Sequence, residues 1–191
     1  MLRELLAPIQ DDLPGRRDRA LILVGFAGAL RRAELAAIAL ADLLRTDQGF
    51  ELTLPRSKGA QTAAVTVPLP YGRTALCPVR VLTAWLDAAP ITDGAVFRRL
   101  WVPPEPPDGP PPLPRLGNAA LTPRSIARIV QARAAAAGFG RLEFGGHSLK
   151  HGALTTGMQQ NAHAGQLKRL GRHKTFEFGD LFEGHPLRDV L

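Results

Sequence analysis

The sequence predicts an α+β fold in which helices dominate and strands form one small hairpin sheet. Three observations carry that prediction. Apolar residues recur at helical spacing in several separate segments. A period of two appears in one place, residues 49–69. A Pro-rich run at about 103–114, "PPEPPDGPPPLP", is incompatible with regular helix or an inner strand. The 191 residues, 45% hydrophobic and 21% charged, suit a single domain spanning 1–191 with its own core.

Taken in order, residues 2–9 read as a short helix, stopped near Asp11–Gly15 by "DDLPG". "RRDRALILVGFAGAL" then reads as a buried helix, with Asp18 placed to favour its N-terminus. Gly25 and Gly28 mark close packing or the helix end. A further helix runs through "RRAELAAIAL", with Leu35 and Ile38 on one face. Between 49 and 69, Phe50, Leu52 and Leu54 alternate, then Val65 and Val67, around a polar turn from Ser57 to Gln61; this is a β-hairpin. Pro78 opens the next helix at a position that needs no N–H, and its apolar face holds Val81, Leu82 and Trp85. The Pro-rich run reads as a surface connector. In "LTPRSIARIVQARAAAAG", Thr122 caps a helix, Pro123 starts it and Gly138 stops it. More helix is predicted from about Ser148.

Composition limits the partners. Lys and Arg number 24 against 17 Asp and Glu, giving a net charge of +7, and the commonest partner of such an excess is nucleic acid. One cysteine, Cys77, allows neither an internal disulfide nor a Cys-based zinc site, and it fits a reducing, cytoplasmic compartment. The apolar run "ALILVGFAGAL", about eleven residues, is too short to span a bilayer, so no membrane partner is expected.

The stretch "GGHSLKHG" raises the question of chemistry: His147 is followed three positions on by the cation Lys150. Attack on a phosphodiester builds negative charge on the phosphoryl oxygens. Fixed cations must meet it, arginine best, because its planar fork holds two oxygens. A leaving oxygen needs a proton donor, and a covalent route needs a nucleophile.

Here the sequence resembles the catalytic domain of the tyrosine recombinases, or phage integrases. The resemblance runs from "RDRALILVGFAGALRRAELAAIALADL" through "RSKGAQ", "CPVRVLTAWL" and "GAVFRR" to "GHSLKHG" and "GRHKT", covering about residues 15–185. It implies that Arg31 is the first catalytic arginine, that Glu34 is the acidic residue that braces the site, and that Lys58 on the hairpin is the general acid toward the leaving oxygen. It implies that His147 and His173 position phosphate oxygens, and that Lys150 stands where a second catalytic arginine belongs. Phe182, nine residues after His173, stands where the nucleophilic tyrosine belongs. Arg31, Lys58, Lys150 and Lys174 would contact DNA. The family needs no metal, and no cofactor is implied.

Two departures bear on activity. Lys150 keeps the charge but loses the fork. Phe182 has the ring but no hydroxyl. The expected function is therefore that of a double-stranded-DNA-binding protein of the recombination and integration family, nucleoid-associated, that does not cleave as given. A natural degenerate recombinase explains both departures. The alternatives are an engineered or fragmentary integrase, and an interaction module whose C-terminal segment "FGDLFEGHPLRDVL" or Pro-rich loop engages other recombinase protomers. No counterpart of the family's N-terminal core-binding domain is expected, so the grip on DNA should be one-sided and salt-sensitive.

Overall fold

The computed structural model describes residues 1–54, 64–101, 103–104, 109, 112–140, 144 and 148–172. Among the described residues, seven α-helices and five strands follow one another, with the helices around a central one. After a short helix α1 (Leu2–Leu6), that central helix is α2 (Leu13–Ala27). Its Ala20, Leu21, Ile22, Leu23 and Val24 are all essentially inaccessible, as expected of a helix apolar on every side. It packs on α4 (Pro78–Ala88) and α6 (Ser148–Gln159).

The start of α2 corrects the sequence reading. "DDLPG" does not end a helix; it begins this one. The Asp12 carboxylate accepts from Gly15 N–H at 2.7 Å, and Pro14 lies in the first turn, where its missing N–H costs nothing. Asp18 is therefore well inside the helix and does not serve its N-terminus. It is 3% exposed and is held by Arg17 at 2.8 Å and by Arg133 at 2.7 Å. Arg133 belongs to α5 (Pro123–Ala136), so this carboxylate ties two helices together. A buried carboxylate persists because both cations and their hydrogen bonds accompany it.

After α2 the chain turns through Gly28 and Ala29 into α3 (Arg32–Ala37), which is shorter than the run of apolar residues suggests. Ile38 leaves the helix in extended conformation, and its carbonyl accepts from Val96 N–H. A 3-10 turn (Leu40–Asp42) leads to β1 (Leu43–Thr46), β2 (Gly49–Leu54) and β3 (Val65–Pro70), an antiparallel sheet in the order β1-β2-β3. The hairpin stands as expected, with Leu52 opposite Val67 and Phe50 opposite Leu69. β1 was not foreseen. The hairpin tip, with Lys58, lies outside the described residues.

In α4, Val79, Leu82 and Trp85 are buried, whereas Val81 is only partly so. Trp85 Nε1 donates to Val96 O at 2.9 Å, which satisfies the indole in the core. The Pro-rich segment is a connector, as its sequence suggests. It joins two paired strands, β4 (Arg98–Trp101) and β5 (Arg115–Ala120). Neither "RRLW" nor "RLGNAA" shows apolar alternation, so nothing local announces them. α5 matches its expected caps: Thr122 Oγ1 accepts from Ser125 N–H, and Gly138 follows at φ +83°. It packs on α3. α6 is followed by a separate helix α7 (Ala164–Gly171). Among the described residues, no helix is long and apolar enough to cross a membrane.

Candidate functional site

The site is built where three chain segments meet: the α2–α3 corner, the start of α6 and the end of α7. Gly25 on α2 permits the meeting. A Cβ there would lie 2.7 Å from Leu149 Cδ1 and 2.8 Å from Leu35 Cδ1. Leu149 precedes Lys150, and Leu35 follows Glu34, so this close approach helps to place both candidate side chains.

Arg31 occupies the N-cap of α3 with extended backbone, φ −75° and ψ 152°. Glu34, three positions on, accepts the Arg31 backbone N–H on Oε2 at 2.7 Å and Arg31 Nη1 on Oε1 at 2.9 Å. The glutamate thus satisfies an orphan helix N–H and grips the arginine at the same time. Arg31 remains 44% exposed, and its Nε and Nη2 have no partner among the described residues. That free edge is the planar pair of donors suited to two anionic oxygens.

Lys150, on the first turn of α6, is placed differently. It is 4% exposed, and its ammonium donates to Gly171 O at the end of α7 at 2.6 Å. Burial, and then the nearby charges of Arg31 and Arg172, draw its pKa down to about 8, against the opposing pull of Glu34. The lysine pins α6 to α7 and lends positive charge to the site from beneath.

Arg172 was missed by sequence reading. It follows α7 in the left-handed region and reaches back across the fold. Nη1 donates to Gly28 O at 2.9 Å and Leu170 O at 3.2 Å; Nη2 donates to Ala29 O at 2.9 Å and Glu34 Oε2 at 2.7 Å. The Gly28 and Ala29 carbonyls, just beyond α2, find their donors here. Burial pulls the Arg172 pKa down, while Glu34 opposes the shift. The only sequence hint was an arginine between Gly171 and His173, overshadowed by the histidine.

The structure therefore brings together Arg31, Glu34 and Lys150 of the expected set and adds Arg172. Three cations face one carboxylate. Lys58, His147, His173, Lys174 and Phe182 lie outside the described residues. Arg32, Arg124 and Arg128 are exposed on the packed pair α3 and α5, and they extend the basic character beyond the cluster. Such an arrangement can hold an anion at Arg31, in a field made positive by groups that are themselves committed inward.

No family model matches the chain. An integrase/recombinase xerD homolog of Selenomonas ruminantium is 37% identical over 197 residues, covering 96% of this chain and 54% of that protein. The chain thus spans about half the length of this curated relative. The fold is similar to that of the XerH site-specific recombinase in its pre-cleavage complex with difH substrate, with a TM-score of 0.67 and 17% identity, over 99% of this chain and 50% of that one. It is similar also to XerA recombinase, with a TM-score of 0.68 and 15% identity, over 99% of this chain and 61% of that one.

Proposed function

We propose that the chain is a member of the tyrosine recombinase family and that it binds duplex DNA through phosphates at Arg31 without cleaving it; the likeness to an integrase/recombinase xerD homolog supports the family, and the likeness to XerH and XerA supports the fold. The observation that supports this most directly is the state of Arg31. Its guanidinium is anchored by one nitrogen on Glu34, half-exposed, and open along its Nε–Nη2 edge among the described residues. An anchored fork loses little freedom on meeting a phosphate, and each charge-assisted bond it makes is strong. Lys150 and Arg172 raise the local potential without offering that edge themselves. Phe182, at the position of the family's nucleophile, has no oxygen with which to attack phosphorus. The reading is of a DNA-holding recombinase fold whose transfer step lacks its attacking group.

The test is binding of a labelled duplex followed by fluorescence anisotropy at low salt. The expected result is binding by the wild type and a loss of roughly tenfold or more for Arg31→Ala. Equal affinities, or no binding by the wild type, would overturn the reading.

A further inference from the structure

Arg172 is a member of the cluster that no motif assigns. It lies at φ +53°, and Ala29, whose carbonyl it bonds, lies at φ +44°. Side chains with a Cβ avoid this region, so two such residues in contact mark a feature that the surrounding structure holds in place. The guanidinium joins the two, alongside the backbone bonds of Ala29 N–H to Phe26 O and Arg172 N–H to Arg169 O. Its two Nη atoms donate to Gly28 O, Leu170 O, Ala29 O and Glu34 Oε2, one for each Nη hydrogen. With the side chain 11% exposed, Arg172 keeps no Nη hydrogen for a ligand. Beyond the field of its charge, it influences the site through the groups it touches, and the charged one among them is Glu34.

Glu34 is shared between two arginines. A carboxylate with a single guanidinium partner takes it as a two-toothed fork and cancels its charge. Here Oε2 is occupied by Arg172 Nη2 and by the Arg31 backbone N–H, so the Arg31 guanidinium meets the carboxylate through Nη1 alone. We propose that Arg172 is a positioning residue: it satisfies Glu34, so that Arg31 keeps both an open fork and an uncompensated charge for phosphate. This rests on the reading of Arg31 as the phosphate ligand. Without Arg172, Glu34 would close on Arg31 and the two would form a neutral pair.

The experiment compares duplex affinity, its salt dependence and thermal melting for the wild type and three variants. Glycine suits a positive φ, so Arg172→Gly removes the guanidinium without adding backbone strain. Its affinity should fall by roughly tenfold, and its salt slope should lose about one phosphate's worth. Adding Glu34→Gln, which preserves the capping acceptor, should restore most of that affinity, because nothing then neutralises Arg31. Arg172→Lys keeps a charge beside Glu34 while giving up the carbonyl bonds; it should melt lower yet bind nearly as the wild type does. Wild-type affinity in Arg172→Gly, or a loss that Glu34→Gln does not restore, would show that Arg172 is only a staple. If Arg172→Gly does not fold, Arg172→Lys decides: lower melting with affinity kept supports the proposal, and a parallel loss of both overturns it. A wild type that binds no duplex defeats the phosphate reading itself, and this inference with it.

Discussion

Lys150 carries its charge where water scarcely reaches, and that has a consequence for stability. Its pKa lies near 8 in the folded chain, against an ordinary 10.5. Between those values the folded state binds fewer protons than the unfolded state, so stability rises with pH across that window. Below pH 8 both states are protonated, and the cost of burying the charge is present in full. Urea unfolding midpoints followed from pH 7 to 10 should therefore show an upward contribution in the wild type that Lys150→Met lacks. Parallel profiles would mean that the ammonium is not buried in its charged form. At Phe182, which the resemblance to the family sets at the nucleophile's place, the expectation concerns chemistry. The chain as given should form no covalent adduct with nicked duplex DNA on a denaturing gel, because Phe182 offers no hydroxyl. Phe182→Tyr with Lys150→Arg should give more adduct than Phe182→Tyr alone, by ~10²–10³-fold, the worth of one site donor. Equal yields would show that lysine suffices at 150, and adduct from the unaltered chain would reveal another nucleophile.

At the scale of elements, α2 is the post on which the site is mounted. Its Gly25 lets Leu35 of α3 and Leu149 of α6 approach to distances that no side chain at 25 would allow. Both leucines are buried, so neither can swing into solvent to make room. Gly25→Val should destabilise the protein by about 1–3 kcal/mol through overpacking, measured by urea unfolding. It should also weaken duplex binding beyond what partial unfolding explains, since the residues displaced are the chain neighbours of Glu34 and Lys150. A variant as stable as the wild type would show that the helices have slack at this crossing. The helices themselves were readable where a cap and an apolar face coincide, as in α5 with Thr122, Pro123 and Ile126. The sequence misleads where an Asp-rich stretch with one proline and a glycine, "DDLPG", suggests a stop but supplies a start, with Asp12 as cap and Pro14 in the first turn.

For the whole molecule, the relevant quantity is how charge is spread. The net charge is +7, and Arg31, Arg32, Arg124 and Arg128 are exposed on the neighbouring helices α3 and α5. If each meets one phosphate, log affinity should fall against log salt with a slope of roughly −3 to −4. Titrations of one duplex at several salt concentrations measure this directly. A slope near zero would mean that the basic surface is only solvated and that any binding has another cause.

The sequence by itself determined what is local. Arg31 and Glu34 stand three residues apart at a helix start, so their pairing follows from helical geometry alone, and the β2–β3 hairpin follows from its alternation. Only the tertiary structure decided the rest. Asp18 meets Arg133 across 115 positions, and Arg172 meets Glu34 across 138. Lys150 turned inward to Gly171 because α7 packs over it. A spacing of three or four residues leaves a mark in the chain, because backbone geometry brings those side chains together. Partners more than a hundred residues apart leave none, because they meet only where helix packing, and a glycine such as Gly25, allows the segments to close.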